Sequence, residues 1–324
     1  MRVLITGADG LLGSNLVRLL LSRGHQVRVF LHPSSCSKTL DGLKIQKYYG
    51  DILVPDSLTE AMKRVDAVVH AAANTSIWPS RSEFVRKVNI QGTQNVIDAV
   101  LKFKLRTMIY IGSASSVNGP KELGTHYAYA GEKYGLDYLD SKYQALQLVL
   151  DSVKTRNLPA LAILPTYMIG PYDSLPGSGK MIREFARGKL RFFTGGGKNF
   201  VHVQDVSIAI ANSLEQPHYG KCYVVGNENL SYKAFFKKMA KVVGAPEPYM
   251  QLPGWLVKTI GLLGEAAGKV LHIKPMISYP IACISCDLQF VSSDEAKKDL
   301  KIPHTPVEQA IRDCYTWFRA NGYC

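Results

Sequence analysis

Residues 2–13 read RVLITGADGLLG. A buried-type strand runs straight into a loop with glycine at positions 7, 10 and 13. A turn this tight needs residues without a Cβ. The apolar periodic run GLLGSNLVRLLLSRG begins inside the loop and stops at Gly24. A helix placed there aims its free N–H groups and positive end back at the turn, where a phosphate binds. Closeness of helix and sheet explains the third glycine. The spacing of Gly7, Gly10 and Gly13 departs from the G-x-G-x-x-G pattern. The position, after a first strand and before a helix, therefore carries the reading of a dinucleotide-binding turn.

Outward from that stretch the first half alternates. HQVRVFL (25–31) reads as a second strand, and GLKIQKYYGDI (42–52) holds a third. PDSLTEAMKRV (55–65) reads as a short helix opened by proline. DAVVHAAA (66–73) is a fourth strand, followed by a long helix over FVRKVNIQGTQNVIDAVLKF (84–103). RTMIYIGSAS (106–115) is a fifth strand, EKYGLDYLDSKYQALQLVL (132–150) a helix, and LPALAILPT (158–166) a sixth strand. Strands separated by helix-length crossovers predict an α/β fold: a Rossmann-type doubly wound parallel sheet, covered on both faces. After residue 166 prolines and glycines break the rhythm. Residues 1–166 with parts of 198–226 are expected to form the dinucleotide-binding domain. Residues 167–197 and 227–324 are expected to form mainly a smaller C-terminal substrate-binding lobe.

The 324 residues are 46% hydrophobic and 20% charged, an ordinary globular mix. No apolar run reaches the ~18 residues of a membrane span. The N-terminus has no signal-peptide layout, so a cytoplasmic location is expected. Six cysteines (36, 222, 283, 286, 314 and 324) are scattered. Only Cys283 and Cys286 form a CxxC, with no second pair to complete a zinc site, so all six read as reduced thiols. The net charge of +13 favours anionic partners. The densest basic group, SYKAFFKKMAKVV (231–243), has helical spacing and reads as a solvated face. No nucleic-acid motif is present. The apolar GWLVKTIGLLG (254–264) reads as a buried lobe helix, with membrane-surface contact as its rival.

Tyr138 and Lys142 stand four apart, so phenol and ammonium share one helix face. A cation beside a phenol makes it a usable proton donor and acceptor. Ser113 follows the fifth strand, whose end faces the cofactor crevice, and could polarise a carbonyl. Asn89 could hold a water linking Lys142 to solvent. The second strand ends in RVFLHPSSCSK, with no acid between Gly24 and Asp41. An NAD site carries a carboxylate there for the ribose. His32 and Lys38, with Ser34 and Ser35, suit a ribose phosphate instead, so NADP is preferred over NAD. Asp51 is placed to reach an adenine amine.

The motifs TGADGLLG, GDI, HAAA, VNIQGTQN, IGSASSVNG, YLDSK, ILPTYMIGP and FVHVQDV, with the closing FVSSDEAKKDLKIPHTPVEQAIRDCYTWF, resemble the extended short-chain dehydrogenase/reductase superfamily, also called the NAD-dependent epimerase/dehydratase family. The resemblance covers nearly the whole chain. It implies Tyr138 as acid/base, Lys142 as ribose anchor and pKa shifter, and Ser113, chosen over Ser115 and Ser116, as their hydroxyl partner. It implies a pyrophosphate loop of Gly7, Asp9, Gly10, Leu11, Leu12 and Gly13. Asp51 and Ile52 would lie at adenine, Ala71, Ala72 and Ala73 along the cofactor, and Pro165 and Met168 near the nicotinamide. It also implies a homodimer through the helices carrying Asn89 and Tyr138, although monomers occur among the reductases. SASSVN and ILPTYMIGP look most like the dihydroflavonol-4-reductase branch, which shades into 3β-hydroxysteroid dehydrogenases. Ala114 and Ser115 follow Ser113 where sugar dehydratases carry an acidic pair. Lys198 falls where sugar-nucleotide epimerases have an arginine, and reads as a remnant or a surface charge.

These readings lead to an NAD(P)-dependent oxidoreductase that reduces a ketone, or oxidises a secondary alcohol, of an apolar small molecule. NTSIWPSRSEF (74–84), Trp255, Leu256 and Leu262 are expected to line the substrate side. The alternatives are a nucleotide-sugar 4-epimerase with tightly bound NAD and a non-catalytic dinucleotide-sensing scaffold.

Overall fold

The computed structural model describes residues 1–35, 37–117, 129 and 131–324. Cys36 and the end of the IGSASSVNG motif lie outside the described residues. Seven parallel strands form the main sheet: β1 (Arg2–Thr6), β2 (Gln26–Leu31), β3 (Gln46–Tyr49), β4 (Ala67–His70), β5 (Thr107–Ile111), β6 (Ala160–Pro165) and β10 (Cys222–Val225). Their order is β10-β6-β5-β4-β1-β2-β3, so the winding reverses between β1 and β4. Every residue of β4, β5 and β6 is buried. Strands covered on both faces need continuous apolar sequence, and AVVH, TMIYI and ALAILP come close to it.

One face is covered by α1 (Leu11–Ser22) and α7 (Val203–Glu215), which bury Leu16, Val17 and Ile210. The other face is covered by α2 (Thr59–Met62), α4 (Gly92–Lys102) and α5 (Asp137–Arg156), with Met62, Val96, Val100 and Val149 in its core. Two helices differ from expectation. The helix over 84–103 divides into α3 (Glu83–Arg86), a π-helical turn Lys87–Gln91, and α4. The YLDSK helix begins only at Asp137, because Gly135 at φ +59° ends a 3₁₀ turn just before it. Tyr138 thereby falls in the first turn of α5.

The smaller lobe holds β7 (Tyr167–Ile169), β9 (Gly197–His202), β11 (Glu228–Ser231) and β13 (Leu288–Gln289) around a central β9, plus the pair β8 (Phe192–Phe193) and β12 (Met250–Gln251). α6 (Lys180–Ala186), α8 (Tyr232–Val243) and α12 (Val307–Ala320) pack over it, with Phe200 stacked on Phe235 at 4.0 Å. The basic side of α8 does face water at Lys233, Lys237 and Lys241, and Lys238 pairs with Glu228 and Glu308. α9 (Gly254–Leu271) and α10 (Tyr279–Cys286) pack together at the edge of this lobe. α11 (Asp294–Leu300) returns to the main sheet, where Ala296, Leu300 and Ile302 join the core under α1 and α7.

Candidate active site

The turn after β1 sits at the point where the winding reverses, the usual place for a ligand in such sheets. Gly7 adopts φ +70°, and a Cβ there would lie 2.7 Å from the Ala72 amide nitrogen. A Cβ on Gly13 would collide with the Gly7 carbonyl. At Gly10, by contrast, a Cβ would meet only the Gly7 oxygen, at 3.6 Å. Gly7 and Gly13 thus serve close packing, while Gly10 keeps the mouth of the turn open. Asp9 and Leu11 are half-buried on the lip and Leu12 points into the core. The N-terminus of α1 has no side-chain cap and no acid in its first turn. An uncapped positive helix end under a bare glycine fits a pyrophosphate. Ala71, Ala72 and Ala73 continue the same wall, half-buried and small enough for a flat group to lie along them.

At the far end of the crevice, Asp51 accepts from the Leu53 amide at 2.8 Å, and Ile52 is buried against Gly92. His32 and Lys38 are both exposed. His32 Nδ1 lies 2.7 Å from Ser34 Oγ, and its Nε2 lies 3.9 Å from Asp51. Ser35 Oγ is buried without a partner. Arg18, which sequence reasoning missed, adds a guanidinium near Lys38. It donates to Thr39 O at 2.7 Å and lies 3.7 Å over the Tyr172 ring. Its signal was available: it is the single charged residue in LLGSNLVRLLLS.

Tyr138, Ser113 and Lys142 meet beyond the C-terminal end of β5. Ser113 is buried, accepts from the Ser115 amide at 3.3 Å, and is hydrogen-bonded to Tyr138. Ser116 turns away and donates to Ser113 O. Lys142, 4% exposed, donates to Ile111 O at 2.6 Å, with its ammonium 4.8 Å from the Tyr110 ring centre. Burial lowers the Lys142 pKa to about 7. Burial also raises Tyr138, with the Ser113 hydrogen bond acting against it. This corrects the expectation that Lys142 acidifies the phenol: in this structure the ammonium is spent on a strand-end carbonyl, and desolvation wins. Pro165 is buried at the end of β6, and Met168 is half-buried in β7.

Asn89 has a different task from the water-holding one expected of it. Its side chain accepts from the Asn74 amide at 2.7 Å and donates to Asn74 O and to Ser141 Oγ. Its main-chain oxygen accepts from Thr93. Asn89 therefore ties the loop after β4 to α5. Thr93 leads to His70, whose Nε2 lies 3.1 Å from Thr93 Oγ1 and whose Nδ1 lies 2.8 Å from Thr6 Oγ1. Burial, then Lys142, drives the His70 pKa down to about 3. Between its ordinary 6.5 and about 3, the unfolded chain binds a proton that the native state refuses. We therefore expect stability to be full above pH 6.5 and to fall toward pH 3, with His70→Gln flattening that slope in melting curves across the window.

A cavity of about 260 Å³ opens at the residues that follow Ser113, lined by Ser115, Thr166, Tyr167, Lys198, Gln289 and Val291, among others. Thr166 Oγ1 is buried without a partner. Lys198 is not the surface charge that sequence suggested. β9 lies between β11 and β13, and this register turns the lysine into the cavity wall, where it donates to Gln289 Oε1 at 2.7 Å. Burial lowers its pKa to about 8. Lys133, on the same wall, is matched by Asp287 at 2.6 Å. Trp255 and Leu262 do not line this space; they are 68% and 57% exposed. Ile77, from the loop after β4, packs on the same small apolar cluster as Tyr138.

The sequence profile of the NAD dependent epimerase/dehydratase family matches residues 3–226. The chain is 28% identical to sterol demethylase protein B of Methylococcus capsulatus, over 99% of both chains. It is 28% identical to a Synechocystis sp. protein named for dihydroflavonol 4-reductase, over 98% of this chain and 95% of that one. It is 27% identical to 2-alkyl-3-oxoalkanoate reductase of Stenotrophomonas maltophilia, over 96% and 98%. Among solved structures, gox2253 superposes with a TM-score of 0.85 at 32% identity, over 99% of this chain and 98% of that one. The chain thus belongs to the NAD dependent epimerase/dehydratase family, the extended short-chain dehydrogenases/reductases, and is an NAD(P)-dependent enzyme acting on a small molecule.

Proposed function

We propose that the protein is an NADP-preferring oxidoreductase that interconverts a ketone and a secondary alcohol on a bulky apolar molecule carrying a carboxylate near the reacting carbon. The observation behind this reading is a half-buried lysine, Lys198, hydrogen-bonded to a neutral amide in a cavity whose wall includes Ala114 and Ser115, the residues that follow Ser113. The names of the sterol and 3-oxoalkanoate relatives suit an apolar frame and a keto acid respectively.

Gly7, Gly10, Gly13 and the α1 amides would hold the pyrophosphate, with His32, Ser35, Lys38 and Arg18 toward a ribose phosphate. When bound, the cofactor supplies or accepts the hydride. Ser113 holds the substrate oxygen, and Tyr138 gives or takes its proton through the phenolic oxygen. Lys142, held at the end of β5 by Ile111 O, would anchor the cofactor's ribose. Thr166 and Lys198 orient the remainder of the substrate.

The test is a turnover panel of ketones with and without a neighbouring carboxylate, each run with NADPH and NADH, and of UDP-sugars. Carboxylated ketones should turn over with NADPH preferred. A charge-assisted contact contributes ~1.5–3 kcal/mol, so Lys198→Met should raise their KM by about 10–100-fold and leave neutral analogues unchanged. Equal effects on both ketone classes would refute the carboxylate. UDP-sugar epimerisation without net cofactor consumption would refute the reductase.

A further inference from the structure

α9 was expected to be buried, and only one side of it is. Val257, Gly261, Glu265 and Gly268 face inward. Gly261 lets α10 approach so closely that a Cβ there would lie 2.6 Å from Ala282 Cβ. The opposite side presents Trp255, Leu262, Leu263, Val270 and Leu271 at 57–76% exposure, and Met276 follows at 97%. Of 20 large hydrophobic side chains exposed among the described residues, 11 lie between Tyr249 and Tyr279. Such concentration marks an interaction surface.

The charges around this face are one-sided. Between residues 248 and 286 the sequence has one acid, Glu265, against Lys258, Lys269 and Lys274. Glu265 lies on the inner side, holding Lys269 at 2.9 Å and accepting from Ser80 Oγ at 3.2 Å. Lys258, Lys269, His272 and Lys274 are exposed beside the apolar side chains. No described helix is long and apolar enough to cross a membrane. An apolar face with tryptophan, flanked by lysines and free of outward acids, is the pattern of a helix that lies flat in an interface. The net charge of +13 acts in the same direction.

We propose that the outer face of α9, with the segment to Tyr279, docks on the surface of an anionic lipid bilayer. The helix is joined to the candidate active site by short links. Glu265 accepts from Ser80 Oγ, and Ser80 O accepts from the amide of Asp137, the neighbour of Tyr138. A docked α9 holds the catalytic end of α5 close to the bilayer.

The full chain, without cofactor or substrate, is mixed with vesicles of phosphatidylcholine alone or with phosphatidylglycerol, at low and high salt, and sedimented. The result therefore does not depend on the oxidoreductase reading. Binding is expected with the phosphatidylglycerol vesicles at low salt, weakened by high salt, with a blue shift of tryptophan emission that Trp255→Phe removes. The exposed double substitution L263E/V270E should cut partitioning at least about tenfold, as each lost apolar contact and added anion opposes binding, with an unchanged melting temperature. Absence of binding at low salt overturns the proposal. So does a dimer, seen by light scattering without lipid, that L263E/V270E converts to monomer, because a second copy then covers this face.

Discussion

Tyr138→Phe should lower turnover by about 10²–10⁴-fold, the range that a positioned proton donor supplies. The substitution removes one oxygen and keeps the ring, which packs against the cluster of Tyr134, Leu136, Leu139 and Ile284. Ser113 retains its bond from the Ser115 amide. Affinity for NADPH, measured by fluorescence titration, should therefore stay within about twofold, well inside the ~1.4 kcal/mol that a tenfold change represents. The pH profile carries a second check. Burial raises Tyr138, and alcohol oxidation needs the phenolate. Its rate should rise with pH through the neutral and alkaline range, while ketone reduction, which needs the phenol, should not. An alkaline rise that survives in Tyr138→Phe would place the ionisation on another group.

Lys142→Met should abolish activity to a similar degree and make the protein more stable. The Lys142 ammonium is buried and its pKa falls from 10.5 to about 7. Between those values the unfolded chain holds a proton that the native state has lost, so the lysine's contribution improves as pH rises from 7 to 10.5. Below pH 7 the cost of burying the charge is fully present. Methionine removes that cost and also loses the hydrogen bond to Ile111 O, about 1 kcal/mol. A net gain on the order of 1–3 kcal/mol, several degrees in melting temperature, is expected at pH 7. The gain should shrink toward pH 10. A variant that melts lower at pH 7 would show that Lys142 supports the fold and that the cost of burying its charge is the smaller effect.

The features legible in the sequence have local causes. Gly7 and Gly13 are forced by contacts within one turn and its neighbouring strand, so their spacing announced the crevice. Tyr138 and Lys142 are one helical turn apart whatever surrounds them. The start of α5 at Asp137 was also written in the chain, as Gly135 in KYGLD. Other features depend on distant partners. The direction of Lys198 follows from pairing β9 with strands about 30 and 90 residues away, which no local pattern encodes. The His70 network joins Thr6 and Thr93 across 64 and 23 residues. α9 is apolar on almost every side, so periodicity could not tell which side α10 covers.

The edge of the main sheet has a practical meaning for anyone who would dissect this enzyme. β10 is added to β6 only after the chain has passed through β7, β8 and β9. α11 then brings Leu300 and Ile302 back from near the C-terminus. A gene fragment stopped at residue 166 would lack both, leaving the backbone of β6 without its neighbour and the core beneath α1 and α7 without its last side chains. The two halves are stitched, and cofactor affinity has to be measured on the uncut polypeptide.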